Sequence, residues 1–274
     1  MAVDFHAHTN ASDGSLSPEE LVRRAITKGL TALAITDHDS VEAIPRALRA
    51  AKSSSLLLIP GVELSAVYEN LDVHVLGYFV DYTDQHFLAR LEELRVARQE
   101  RAADMVKALH EAGFDVTIDE VLRLAEEGAV GRSHVARVLV DKGHAPSVAE
   151  AFDLYIGRGR PYYVPKPSTT PALAVRTILD AGGVPVLAHP SITGAESLIP
   201  QLAEVGLAGV EAFHAEHTQE QAESLVRVAR EHGLIVTGGS DHHGPTSPGG
   251  DLGSADVPDY VLPELLARHR LARP

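Results

Sequence analysis

Two histidines one residue apart end the first apolar stretch of the chain. In "DFHAHTNASDG", His6 and His8 alternate with Phe5 and Ala7, and Asp13 and Gly14 follow. Alternate residues of an extended strand share a face, so both imidazoles point the same way. Protonated, they would repel each other; held neutral around a cation, they would not. The same residue types recur downstream. Asp37 and His38 end "ALAIT", Glu63 follows Pro60 and Gly61, and His74 sits in "LDVHVLGY". His189 ends "VPVLA", and Asp241 and His243 end "LIVTGGS". One strand-end histidine is ordinarily structural. Several from separate strands, in a chain without cysteine, point to one metal pocket of nitrogen and oxygen donors.

Such residues need a scaffold that brings strand ends together. "SPEELVRRAITKGL" reads as a helix, with Ser17 as N-cap, Pro18 at the first helical position, Glu20 completing a capping box and Gly29 closing it. Strands "LLLIPGVELSAV" and "LDVHVLGYFV" follow a second helix, and strand–helix alternation returns after residue 170. About seven β/α steps predict a parallel α/β fold closed into a barrel. In such barrels the chemistry sits at the carboxyl ends of the strands, where these histidines and carboxylates fall. Residues 88–165 carry helical periodicity instead and are expected to form a helical insertion subdomain, leaving 1–87 and 166–274 as a discontinuous barrel domain. The run at 126–128 reads as a solvated helix end.

The bulk composition narrows the partners. The chain has 274 residues, 45% hydrophobic and 23% charged, with a formal net charge of −14 and fifteen histidines. This acidic balance argues against duplex DNA, whose binding runs on basic patches. No run is long and apolar enough for a bilayer and no secretory signal is visible, so no membrane partner and a cytoplasmic location are expected.

The order HxH, D, TDHD, GVE, VHVLGY, AHP and GSDHH resembles the PHP (polymerase and histidinol phosphatase) family of metal-dependent phosphoesterases. The likeness covers residues 1–80 and 170–250. The insertion and "GRSHVAR" resemble the branch acting on nucleoside phosphates, with 5′-nucleotidase and exoribonuclease activities. The resemblance implies a distorted (β/α)7 barrel and two to three divalent ions. His6, His8, Glu63 and Asp241 would hold the first. Glu63 would bridge to a second held by His74 and His189, and Asp13, His38 and His243 would hold the third.

Three divalent ions against three carboxylates leave a positive pocket inside an acidic protein, which suits a phosphate ester. Water held between such ions loses a proton near neutral pH and can attack phosphorus in line. Mixed nitrogen and oxygen ligation suits Mn²⁺, Fe²⁺ or Zn²⁺ better than Mg²⁺ or Ca²⁺, which favour all-oxygen shells, and among the three Mn²⁺ is preferred. Asp37 or Asp39 is expected to orient a ligand histidine, unless Asp39 simply caps the next helix. His214 and His217 are candidate acids for the leaving oxygen. Arg132 and His134, opening a helix of the insertion, would clamp phosphate, and Lys166 would border the mouth. The expected substrate is a nucleotide or short single-stranded nucleic acid. The alternatives are a small-metabolite phosphatase, acting for instance on histidinol phosphate, and a non-enzymatic module reading nucleic acid through "TIDEVLRLAEEG" and "RSHVARVLVDKG".

Overall fold

The computed structural model describes residues 2–125, 128–165, 169–244 and 249–272. Seven strands form one sheet in chain order: β1 (Val3–Asp4), β2 (Ala32–Ile35), β3 (Leu57–Tyr68), β4 (Leu71–Tyr78), β5 (Val184–Leu187), β6 (Gly209–His214) and β7 (Ile235–Gly239). The ends meet. Phe5 N–H donates to the Gly238 carbonyl at 3.1 Å, and Ala7 bridges His242 in parallel, so the sheet curls into a nearly closed barrel. This near-closure gives the inward face a single interior.

The parallel expectation holds for β1–β2–β3 and β5–β6–β7 but not for β4, which runs antiparallel to both neighbours. The reason is local. Only Glu69 and Asn70 separate β3 from β4, and a parallel return needs a crossover of a dozen or more residues. Glu69 takes a positive φ of 50° to make that turn.

Helices α1 (Pro18–Thr27), α2 (Ile44–Ala51), α7 (Pro171–Asp180), α8 (Pro190–Thr193), α9 (Ile199–Glu204), α10 (Gln219–Glu231) and α11 (Val261–Ala272) accompany the barrel. The capping box of α1 forms as expected, with Ser17 and Glu20 bonding each other's backbone N–H. The main apolar core joins strand residues such as Phe5, Ile59, Val75 and Val186 to Val175, Ile178 and Leu225 of the helices.

Between β4 and α7 lie α3 (Gln85–Glu111), α4 (Ile118–Ala125), α5 (Arg132–Asp141) and α6 (Val148–Ala151). These build an apolar cluster of their own around Leu109, Val121, Val135, Leu139 and Ile156. The 27-residue α3 belongs to both bodies. Its start places Phe87 and Leu91 in the barrel core, and its end gives Ala102, Val106 and Leu109 to the second cluster. The helix thus runs through position 88 without a break. Glu126 and Glu127 lie outside the described residues.

Candidate metal centre

His6 and His8 follow β1 on one face, both fully buried, with ring centroids 5.2 Å apart. Glu63, on β3, lies opposite them. His6 Nε2 is 3.4 Å from Glu63 Oε2 and 3.2 Å from Asp241 Oδ1; His8 Nε2 is 3.3 Å and 3.0 Å from the same two atoms. Donor atoms about 2.1 Å from one cation, at tetrahedral to octahedral angles, stand about 3.0–3.4 Å from each other. These four residues therefore have the spacing of a single ion's shell.

The other Glu63 oxygen faces elsewhere. His74 Nδ1 lies 2.9 Å and His189 Nε2 3.2 Å from Oε1. The carboxylate thus turns one oxygen to each histidine group. His38 stands between, with Nδ1 2.9 Å from Glu63 Oε2. A further group gathers Asp13, His38 and His243 beside His8, with His243 Nε2 3.2 Å from Asp13 Oδ1. All nine expected ligands thus line one pocket, His38 touching two of the groups.

The donors fit a cation chemically. His6 Nε2, His8 Nε2, His38 Nδ1, Asp13 Oδ1 and Glu63 Oε2 are buried and have no hydrogen-bond partner among the described residues. A buried polar atom left that way costs about 1–3 kcal/mol, and five such atoms facing one another call for a shared partner. The ionisation pattern agrees. Burial alone would push the Glu63 carboxyl up, but His38, His74 and His6 hold it well below its usual range. Asp13 and Asp241 are likewise held well down against burial, by His243 and His38 and by His6 and His243 respectively. Burial disfavours the proton on His6, yet Glu211, Asp241 and Glu63 raise it well above the ordinary value. His243 rises to about 10 against burial, through Asp13 and Asp241.

Backbone strain gathers at the same place. Among the described residues five non-glycines have positive φ, and three are Asp39 (50°), His189 (28°) and Asp241 (52°). Such conformations persist where surrounding structure over-determines them. His189 shows how: its backbone N–H donates to Glu211 Oε2 at 2.8 Å as the chain leaves β5 for Pro190.

Glu211 is the residue that sequence reasoning missed. Fully buried on β6, it faces His6 Nδ1 with both oxygens, at 3.0 and 3.1 Å, and fixes the ring so that Nε2 points at the cluster. The signal was present, because a carboxylate inside the apolar run "AGVEAF" has no bland explanation.

Several expectations change. Asp37 does not accept an imidazole N–H. Its carboxylate takes Thr9 N–H and Oγ–H, both at 2.7 Å, and Ser12 Oγ–H at 2.6 Å, and so reaches His8 only through Ser12, 3.5 Å from His8 Nδ1. Asp37 anchors the loop after β1. Asp39 neither caps a helix nor orients a histidine; it accepts Ser65 N–H and pairs with Arg98 of α3. His214 Nδ1 accepts the Glu216 backbone N–H at 3.1 Å, which leaves the ring proton on Nε2, 3.9 Å from Asp241 Oδ2. Burial lowers its pKa to about 4. A neutral imidazole with its proton on Nε2 offers a hydrogen-bond donor toward the pocket. His217 has the opposite tautomer: Nδ1–H donates to the Ala212 carbonyl, and Nε2 presents a lone pair.

On α5, Ser133 Oγ donates to Asp13 Oδ2 at 3.0 Å, so the first turn of that helix touches the third candidate ligand group. His134 Nδ1 accepts Gly131 N–H and its ring is buried. Arg132 turns away to Asp72, 3.0 Å from Oδ2, so its guanidinium is partly engaged. A DNA-reading α4–α5 pair would need this turn facing outward. Lys166 lies outside the described residues.

The PHP domain model matches residues 4–155. The chain is 38% identical over 249 residues to the 5′-3′ exoribonuclease Rnm of Escherichia coli, covering 88% of this chain and 85% of that protein. It is 33% identical over 276 residues to the 3′,5′-nucleoside bisphosphate phosphatase of Chromobacterium violaceum, covering 97% of each. A Bifidobacterium adolescentis protein described as a metal-dependent phosphoesterase superposes with a TM-score of 0.89 at 34% identity, covering 97% of this chain and 96% of that one. A barrel whose strand ends converge on six imidazoles and three carboxylates, matched over most of its length by these relatives, belongs to the PHP domain family.

Proposed function

We propose that the protein is a metal-dependent phosphoesterase that hydrolyses phosphate esters of nucleotides or short oligonucleotides. The observation that carries this reading is Glu63, whose two oxygens face separate groups of imidazoles inside one buried pocket. Two to three divalent ions, Mn²⁺ before Fe²⁺ or Zn²⁺, would be held by His6, His8, Glu63 and Asp241, by Glu63, His74 and His189, and by Asp13, His38 and His243. Bound there, the ions would supply an activated water and neutralise charge on the phosphoryl oxygens.

The chain's own residues do the rest. Glu211 and Asp37 fix the ligand rings and the loop that carries them. His214 offers a fixed N–H to a phosphate oxygen. The segment 88–165 is proposed as an insertion subdomain that walls the barrel mouth, with Arg132 and His134 bordering the substrate. The relatives named as an exoribonuclease and a nucleoside bisphosphate phosphatase support nucleotides over other esters. No described helix is long and apolar enough to cross a membrane, and a cytoplasmic enzyme acting on small or single-stranded substrates fits the acidic charge.

The test is a phosphate-release panel with Mn²⁺: mononucleotides, 3′,5′-bisphosphates, short RNA, sugar phosphates and histidinol phosphate at equal concentration. Turnover of nucleotides or short RNA well above the others is expected. Preference for histidinol phosphate would overturn the substrate class.

A further inference from the structure

The seam between the first and last strands has a gap in its ladder. Beyond β1 and β7 the two stretches of chain run on side by side. Phe5 N–H donates to the Gly238 carbonyl at 3.1 Å, and His8 N–H to the His242 carbonyl at 2.9 Å. Between these rungs the backbone turns elsewhere. His6 N–H and Ser240 N–H both donate to one side-chain oxygen, Asp4 Oδ1, at 3.2 and 3.0 Å. The gap falls where the chain delivers two candidate ligands, His6 and Asp241.

Asp4 is fully buried, as are His6 and Ser240. Its other oxygen, Oδ2, accepts Ser240 Oγ–H at 2.6 Å and Gly253 N–H at 2.7 Å. A buried carboxylate is expensive unless its oxygens are hydrogen-bonded. Four donors meet this one, from three separate stretches of chain. None of the four is an imidazole. Asp4 therefore reaches the candidate ligands only through the backbone that carries them. Gly253 lies in the stretch that Asp251 ties to α1, through Arg24 at 2.8 Å and Lys28 at 2.9 Å, so the same carboxylate fixes that stretch against the seam.

The fit is tight. A Cβ on Gly239 would stand 2.4 Å from His6 N and 2.8 Å from Asp4 Oδ1. Two residues on, Asp241 takes its positive φ of 52°. A non-glycine residue keeps such a φ only where its surroundings over-determine it. Were the ladder regular here, residues 240 and 241 would take a strand φ of about −120°. That would turn the Asp241 carboxylate away from His6 Nε2 and His8 Nε2, which stand 3.2 and 3.0 Å from its Oδ1.

We propose that Asp4 is a positioning residue for metal binding: its carboxylate stands in for a missing rung between β1 and β7 and so keeps His6 and Asp241 within reach of one ion. The assignment rests on the metal reading of the pocket and adds a residue outside the ligand set. Asp4 offers the pocket no donor atom, because each of its oxygens already accepts two hydrogen bonds. Its contribution is geometric. That separates it from Glu211, whose charge bears directly on His6 Nδ1. Asparagine is then a near substitute, since its Oδ1 can still accept both ladder N–H groups, and alanine is not.

The test is the Mn²⁺ affinity of metal-stripped protein, followed by the electron spin resonance of the free ion, with no substrate present. Asp4→Ala is expected to bind Mn²⁺ at least about tenfold more weakly than the native chain, and Asp4→Asn within about threefold of it. Asp4→Ser, whose one hydroxyl cannot span four donors, should show the same weakening and serves if Asp4→Ala does not fold. Leu139→Ala controls for stability alone: it loosens the separate apolar cluster and should keep native affinity. Native affinity in folded Asp4→Ala or Asp4→Ser would overturn the proposal. So would an Asp4→Asn as weak as Asp4→Ala, since charge and not the rung would then matter, or an equal loss in Leu139→Ala. Each of these outcomes leaves the phosphoesterase reading standing, whereas a native chain that binds no Mn²⁺ would sink both.

Discussion

At the residue scale, the atom that each side chain turns to the pocket decides what it can hold. His6 presents Nε2 because Glu211 occupies Nδ1, an arrangement that sets ring orientation and basicity together. Glu211→Gln keeps the shape but removes the charge. It is expected to lower metal affinity by about 10- to 100-fold, read as metal retained after dialysis of a folded protein. Protons compete with metal for the same nitrogens. His6 is raised well above its ordinary value and His243 to about 10, in both cases against burial and through neighbouring carboxylates. The sign follows: a cation must displace these protons, so its affinity rises with pH until they are lost. Between pH 6 and 8, Mn²⁺ binding should tighten by about tenfold per pH unit for each proton displaced. Calorimetry in buffers of different ionisation heat should show proton release. Affinity independent of pH would contradict the assignment.

At the element scale, strand ends and one helix start bring the residues together. The His-x-His pair was legible because strand alternation puts both rings on one face, whereas Glu63, Asp241 and His243 were marked by their places at strand ends and by the family resemblance. Glu211 was overlooked because it carries no motif, only an anomalous charge in an apolar strand. The direction of β4 was readable from the two residues joining it to β3, yet the surrounding β/α alternation hid it. The tautomers of His214 and His217 were beyond sequence reading, since each depends on a backbone group placed by the turn after β6. So was the bond from Ser133 to Asp13, which joins residues 120 positions apart. Ser133→Ala should lower turnover by about tenfold or more, as losses of groups that orient metal ligands do, with thermal stability nearly unchanged. Native turnover in that variant would detach α5 from the site.

At the scale of the whole molecule, a nearly closed barrel and a second apolar cluster share one long helix. The start of α3 is anchored in the barrel core and its end in the second apolar cluster, while Arg98 between them grips Asp39 beside a candidate ligand. Leu139 is fully buried in the second cluster. Leu139→Ala should lower stability by about 2–5 kcal/mol, measured by denaturant unfolding. A loss below 0.5 kcal/mol would mean that the cluster is not packed as described. Ions that bind only the folded protein must also stabilise it, by about 2.7 kcal/mol at a hundredfold excess over their dissociation constant.

The most direct measurement is phosphate release from a nucleotide substrate as Mn²⁺ is titrated into metal-stripped protein, alongside His8→Ala. The native chain should be inactive in chelator and gain activity that saturates at two to three equivalents of metal, while His8→Ala stays near background. Full activity in chelator, or native activity in His8→Ala, would contradict a catalytic metal cluster at these residues.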